Sequence, residues 1–207
     1  PPPEGGALSP ELRGPGPCGP KVTVAKTRPT SLIGMGPRLL RRALVALAAT
    51  AVLAGCVEQA PPAPAVLRTT PPPWDAPRDG VAYFELAGVP ASRLDDRTNQ
   101  RVLTMSIQLD GTDVPLVPWI GIDRPRALQA PAHTHDDSGT VWLEGTGATD
   151  VTLGQFFTLW GVRFDGRCLG AACGDLTVQA NGRPVDDPVA LTLWGATDVQ
   201  IRVSSGG

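Results

Sequence analysis

Lysine is almost missing from this sequence: among 207 residues only Lys21 and Lys26 carry that side chain. Histidine is as scarce, with two in the chain, and tyrosine occurs once. Arginine supplies the remaining positive charge, and it does so unevenly. Residues 1–56 hold 7 basic and 2 acidic side chains, a net +5, whereas from residue 57 onward 11 arginines face 18 acidic residues, a net −7. An acidic second half excludes nucleic acid as a partner, because displacing counterions from phosphates needs a positive footprint. The acidic surface serves solubility or a cationic partner. Catalytic signatures are missing too. There is no Gly-x-Ser-x-Gly elbow, no phosphate loop and no dinucleotide fingerprint. No residue is assigned as catalytic, and the chain is not expected to be an enzyme. Ser138, after Asp137 and near two histidines, leaves a hydrolase as a distant alternative. The apolar run 43–54 has 12 residues, short of the roughly 20 that a helix needs to cross a ~30 Å hydrocarbon core.

That short run has a different use. Met35-Gly-Pro-Arg38-Leu-Leu-Arg41-Arg42 is a positive start, Ala43–Ala54 an apolar middle, and Leu53-Ala54-Gly55-Cys56 a small-residue end. Together they read as a signal peptide over residues 35–55 with a lipobox, so that Cys56 becomes a lipid-modified N-terminus. The alternative is an ordinary signal peptide with a chance cysteine. Residues 1–34 are Pro-rich and patternless, and are expected to lie upstream of the true start or to be disordered. Acyl chains on Cys56 would anchor the protein to a membrane surface without crossing it, on the extracytoplasmic face of the cell membrane.

Residues 56–78 contain Gln59-Ala-Pro-Pro-Ala-Pro-Ala65 and Thr69-Thr-Pro-Pro-Pro73, and read as a stiff polyproline II stalk. Trp74 within it is placed to dock on the domain or on a partner. Residues 79–207 are expected to form a single domain. Val102–Leu109 alternates, with Leu103, Met105, Ile107 and Leu109 on one face, as a half-buried strand does. Asp110-Gly111 signals a turn, and Val114–Ile120 a returning strand made irregular by Pro115 and Pro118. Tyr83–Leu86, Thr140–Glu144, Leu176–Ala180, Ala190–Trp194 and Val199–Val203 are further strand candidates, and Asn181-Gly182 is a tight-turn pair. Thr152-Leu-Gly-Gln155 is a capping box. Leu153, Phe156, Phe157 and Trp160 follow at helical spacing, and Gly161 is a C-terminal stop. This order predicts an α+β, β-grasp-like fold, a small mixed β-sheet with one short helix; an all-β sandwich is the alternative.

Both histidines fall in Ala132-His133-Thr134-His135-Asp136-Asp137-Ser138-Gly139. Side chains at i and i+2 of an extended segment share a face. His133 and His135, with Asp136 and Glu144 nearby, therefore form a candidate Cu or Zn site. The other reading is a polar loop whose side chains cap turns. Cys168 and Cys173 are expected to close a small disulfide loop in an oxidising compartment; a redox or metal pair is the alternative, without the Cys-x-x-Cys spacing. Trp119, Trp142, Trp160 and Trp194 are expected in the core.

The stretch from His133 to Gly139, the strand ending in Glu144, and Thr152-Leu-Gly-Gln-Phe-Phe-Thr-Leu-Trp-Gly161 resemble a family of uncharacterised bacterial and archaeal secreted proteins. That family's pattern is His-Thr-His-Asp-x-Ser-Gly-x-x-His-x-Glu, then Thr-Leu-Gly-x-Phe-Phe-x-x-Trp-Gly, then an Asn-Gly hairpin, here Asn181-Gly182. The resemblance covers residues 115–203 and implies an envelope protein without a settled activity. Trp142 stands where the pattern has a third histidine, which removes a candidate ligand and leaves Glu144 as its replacement. The expected protein is a cell-envelope lipoprotein displaying a small binding domain to an envelope protein, with extracytoplasmic metal binding as the alternative.

Overall fold

In the computed structural model, which describes residues 63–205, all within one compact unit of the chain, helix α1 is Val81–Ala87. Strands β1 (Ser92–Arg93), β2 (Arg101–Leu109), β3 (Thr112–Asp113), β4 (Ile122–Asp123), β5 (Leu128–Gln129), β6 (Ala132–His133) and β7 (Thr140–Leu143) follow. Helix α2 is Leu153–Trp160, and β8 (Cys168–Leu169), β9 (Ala172–Ala180), β10 (Arg183–Pro184) and β11 (Asp198–Ser205) complete the order. The result is a mixed, sheet-dominated structure.

The main sheet runs β10-β9-β11-β2-β7-β6. β2 lies parallel to β11, with Met105 opposite Val199 and Ile107 opposite Ile201. Its other neighbour, β7, is antiparallel, as is β9 against β11. The alternation read in the sequence places Leu103, Met105, Ile107 and Leu109 inward, joined by Val141 and Leu143 of β7 and Val199, Ile201 and Val203 of β11. α2 contributes its apolar side chains to the same core. Its capping box forms: Thr152 accepts from the Gln155 amide while the Gln155 side chain accepts from the Thr152 amide. Leu153, Phe156, Phe157, Leu159 and Trp160 are all buried, each contributing about 1.5–3 kcal/mol of apolar burial.

Four expectations are corrected. Tyr83–Leu86 is not a strand but most of α1. Its start is held by a residue distant in sequence, since the Asp123 carboxylate accepts from the amides of Gly80 and Val81, 43 and 42 positions before it. Val114–Ile120 forms no strand; only Thr112–Asp113 pairs with β2, because Pro115 and Pro118 have no amide to offer a ladder. Ala190–Trp194 ends in a 3-10 turn, Leu193–Gly195. It packs against the start of α2, with Leu153 N donating to Leu191 O and Leu193 N to Val151 O. Among the described residues there are thus two α-helices, not one.

The fourth correction concerns the stalk. Between residues 68 and 78 the expected spacer is part of the domain. Arg68 bridges Val162 as a short parallel pair. Trp74 is 1% exposed and meets Trp160 edge-on at 5.6 Å. Its indole donates to Thr70 O, and Trp160 donates to Trp74 O. A Cβ at Gly170 would stand 2.3 Å from the Trp74 ring, so only glycine admits the indole there. The prolines stiffen this segment, but an indole buries too much apolar surface to remain in water.

Candidate functional site

The two histidines sit where β6 turns toward β7. His133 pairs opposite Trp142, and the His133 and His135 rings stand edge-on with centroids 5.0 Å apart, on one side as the i, i+2 spacing requires. His135 is exposed and leans edge-on against Trp142 at 5.2 Å. His133 is fully buried, at 0% exposure. The backbone of residues 117–122 crosses over it closely: a Cβ at Gly121, where φ is +70°, would lie 2.3 Å from Ala132 O. Thr134 clamps that crossing, donating its hydroxyl to Val117 O and accepting from Ile120 N.

The protonation of His133 follows from its surroundings. Nδ1 lies 3.1 Å from Ala130 O, an acceptor only, which places the neutral ring's proton on Nδ1. Nε2 is then a bare lone pair. It is buried without a hydrogen-bond partner, and the nearest charged atom is Glu144 Oε2 at 3.9 Å. Burial pushes the His133 pKa down to about 4, and the charge of His135 acts the same way; the Ala130 carbonyl and Glu144 oppose them. Glu144 is itself only 4% exposed, and its other oxygen accepts from the Gln100 amide.

Of the expected set, His133 and Glu144 face one another and His135 stands alongside. Asp136 does not join them. It turns outward to accept from Ser138 N, and the Ser138 hydroxyl and amide hold its carboxyl below the usual range. Among the described residues, no group of three or more His, Cys, Asp or Glu side chains is arranged to hold a metal ion. The expected four-ligand site is therefore not assembled. The Ser138 hydroxyl bonds to Thr140, with no histidine bond that would activate it as a nucleophile. Cys168 and Cys173 form a disulfide, opposite one another in the β8–β9 hairpin with Cα atoms 4.1 Å apart. Cys56 lies outside the described residues. Trp119, expected in the core, is 40% exposed and adopts a φ of +73°.

A second feature lies at the far end of β2. A cleft of about 540 Å³ opens between Pro71–Pro73 and the β2–β3 turn. Pro71, Pro72, Pro73, Leu109, Val114 and Pro115 make its walls mainly apolar, and Asp110 and Asp113 stand on its rim. One oxygen of each carboxylate is engaged: Asp110 accepts from Ser205 N and Asp113 from the Gln108 amide. Sequence reasoning missed this cleft, along with Gln100 and Thr134 at the histidine end. The only local signals were the proline run and the Asp110-Gly111 turn, and neither says that they meet. Compared with protein-family models, curated proteins and solved structures, the chain matches none.

Proposed function

We propose that this chain is an extracytoplasmic lipoprotein, anchored through Cys56, whose domain binds a small amphiphilic ligand with an apolar body and a cationic end. The cleft carries this reading. Its volume of about 540 Å³ lies in the range of small-molecule sites, which are apolar with a few placed polar groups. Apolar walls favour an aliphatic or aromatic body. Two rim carboxylates, in an acidic domain, favour a positive end. The anchor rests on Leu53-Ala54-Gly55-Cys56 and the basic start before it. The β-grasp reading is supported by the central order β7-β2-β11-β9 with β2 parallel to β11 and α2 between the two hairpins, and the envelope assignment by the motif resemblance across residues 115–203. No catalytic role enters this reading.

The test is a thermal-shift titration of the full chain with alkylammonium ions of increasing length. The melting temperature is expected to rise with chain length, and the rise to shrink in Asp113→Asn. No shift at any length, or the same shift in the variant, sinks the ligand assignment. The anchor is tested separately: detergent-phase partitioning that survives Cys56→Ser contradicts the lipobox.

A further inference from the structure

We propose that the gap between His133 and Glu144 is a site for one divalent transition-metal ion, Zn²⁺ or Cu²⁺, held by His133 Nε2 and a Glu144 carboxylate oxygen and closed by the His135 imidazole. The site is independent of the cleft and lies at the opposite end of β2.

Three observations carry it. First, the imidazole is prepared as a ligand. Nδ1 points at Ala130 O at 3.1 Å, which leaves the Nε2 lone pair free, and metal-binding histidines are oriented in this way by a backbone carbonyl. Second, that lone pair has no partner in the protein although it is completely buried. It faces a carboxylate oxygen, another acceptor. Two acceptors buried face to face need something electropositive between them. Third, the gap has the right width. Zn–N and Zn–O bonds of about 2.0–2.2 Å reach roughly 4.1 Å end to end, so one ion spans the observed 3.9 Å at a wide angle. Closing the gap to about 3.4 Å would give a tetrahedral angle.

Glu144 is oriented as a ligand should be. Gln100 holds one carboxylate oxygen, leaving the other toward the histidine. His135 is the third donor. Its ring is exposed and only 5.0 Å from that of His133, so it can turn onto the ion without disturbing the core. It also marks the way in from solvent. An imidazole–imidazole–carboxylate set suits Zn²⁺ or Cu²⁺.

The experiment is calorimetric titration of the untagged full-length protein with Zn²⁺ and with Cu²⁺, beside Glu144→Gln and His135→Ala. Glu144→Gln keeps side-chain volume, and His135 is exposed, so both variants are expected to fold; circular dichroism checks this. Micromolar or tighter binding of one ion is expected, weakened by about tenfold or more in each variant. A second reading comes from Cu²⁺ paramagnetic resonance on the unaltered protein. The chain holds only two histidines, so nitrogen couplings from imidazole can arise only from His133 and His135. Two such nitrogens are expected, and one in His135→Ala. Absent binding, equal affinity in Glu144→Gln, or a spectrum without imidazole nitrogen overturns the site. The gap would then hold a water donating to both acceptors.

Discussion

At the Arg101 end of β2 the domain buries a histidine and a glutamate. At the Leu109 end, roughly 26 Å along the strand, it does the opposite: the apolar walls are open to water and the carboxylates stand on the rim. The two ends are closed by different means. Short local segments shut the first, with β6 beside β7, Gly121 against Ala132 O, and Thr134 clamping residues 117–120. The second is walled by a segment distant in sequence, Pro71–Trp74, pinned through Trp74 on Trp160. Polar groups that are few and buried must be matched atom by atom, so an unpartnered Nε2 points to a ligand. An open apolar cleft with charged edges asks only for a shape and a sign.

Removing the pin gives the largest expected effect. Trp74→Ala should destabilise the domain by about 3–5 kcal/mol, read as a shift in the urea midpoint. A loss below about 1 kcal/mol would mean that the segment merely rests on the domain, and would return it to the role of a stalk. The histidine end should respond to pH instead. The fold keeps His133 neutral, so between its ordinary 6.5 and its folded value of about 4 the unfolded chain binds the extra proton. Stability is then complete above 6.5 and is lost as pH falls, by roughly 3 kcal/mol at the bottom of that window. Metal-free protein should show this loss in urea unfolding at neutral pH and at about pH 4.5, relative to His133→Gln. Parallel curves for the two proteins would count against the burial of a neutral imidazole. The smallest effect is expected from the disulfide beside the cleft, next to wall residues Ala171 and Ala172. Its loop is short, so Cys168→Ser with Cys173→Ser should cost about 2 kcal/mol and widen the cleft rather than unfold it. Both thiols should resist labelling until reduced; rapid labelling of untreated protein would falsify the bond.

Much of this was legible because it was local. The alternation of 102–109 placed β2, the Thr152-x-x-Gln155 pair capped α2, and Asn181-Gly182 turned the last hairpin, both residues taking positive φ. The five-residue separation of Cys168 and Cys173 closed a hairpin. His133 and His135 were found because their spacing puts both on one side of an extended segment. What failed was long-range. Nothing around Tyr83 announces a helix, since its start is held by Asp123, which also accepts from the Arg126 amide and guanidinium. Nothing around Pro71–Pro73 says that Trp74 will be buried. Asp136 looked like a ligand by proximity and was taken by its own turn.

The sequence by itself determined the charge division, the alternation of the central strand, the capped helix and the scarcity of histidine that confines imidazole chemistry to one loop. Each of these depends on residues within a few positions of one another, where backbone geometry leaves few choices. Only the tertiary structure decided that His133 lies buried against Glu144 while His135 stays in water. It also decided that a proline-rich segment becomes a wall of the domain. Both outcomes turn on which distant surfaces exclude water from a side chain, and that is a property of packing in three dimensions.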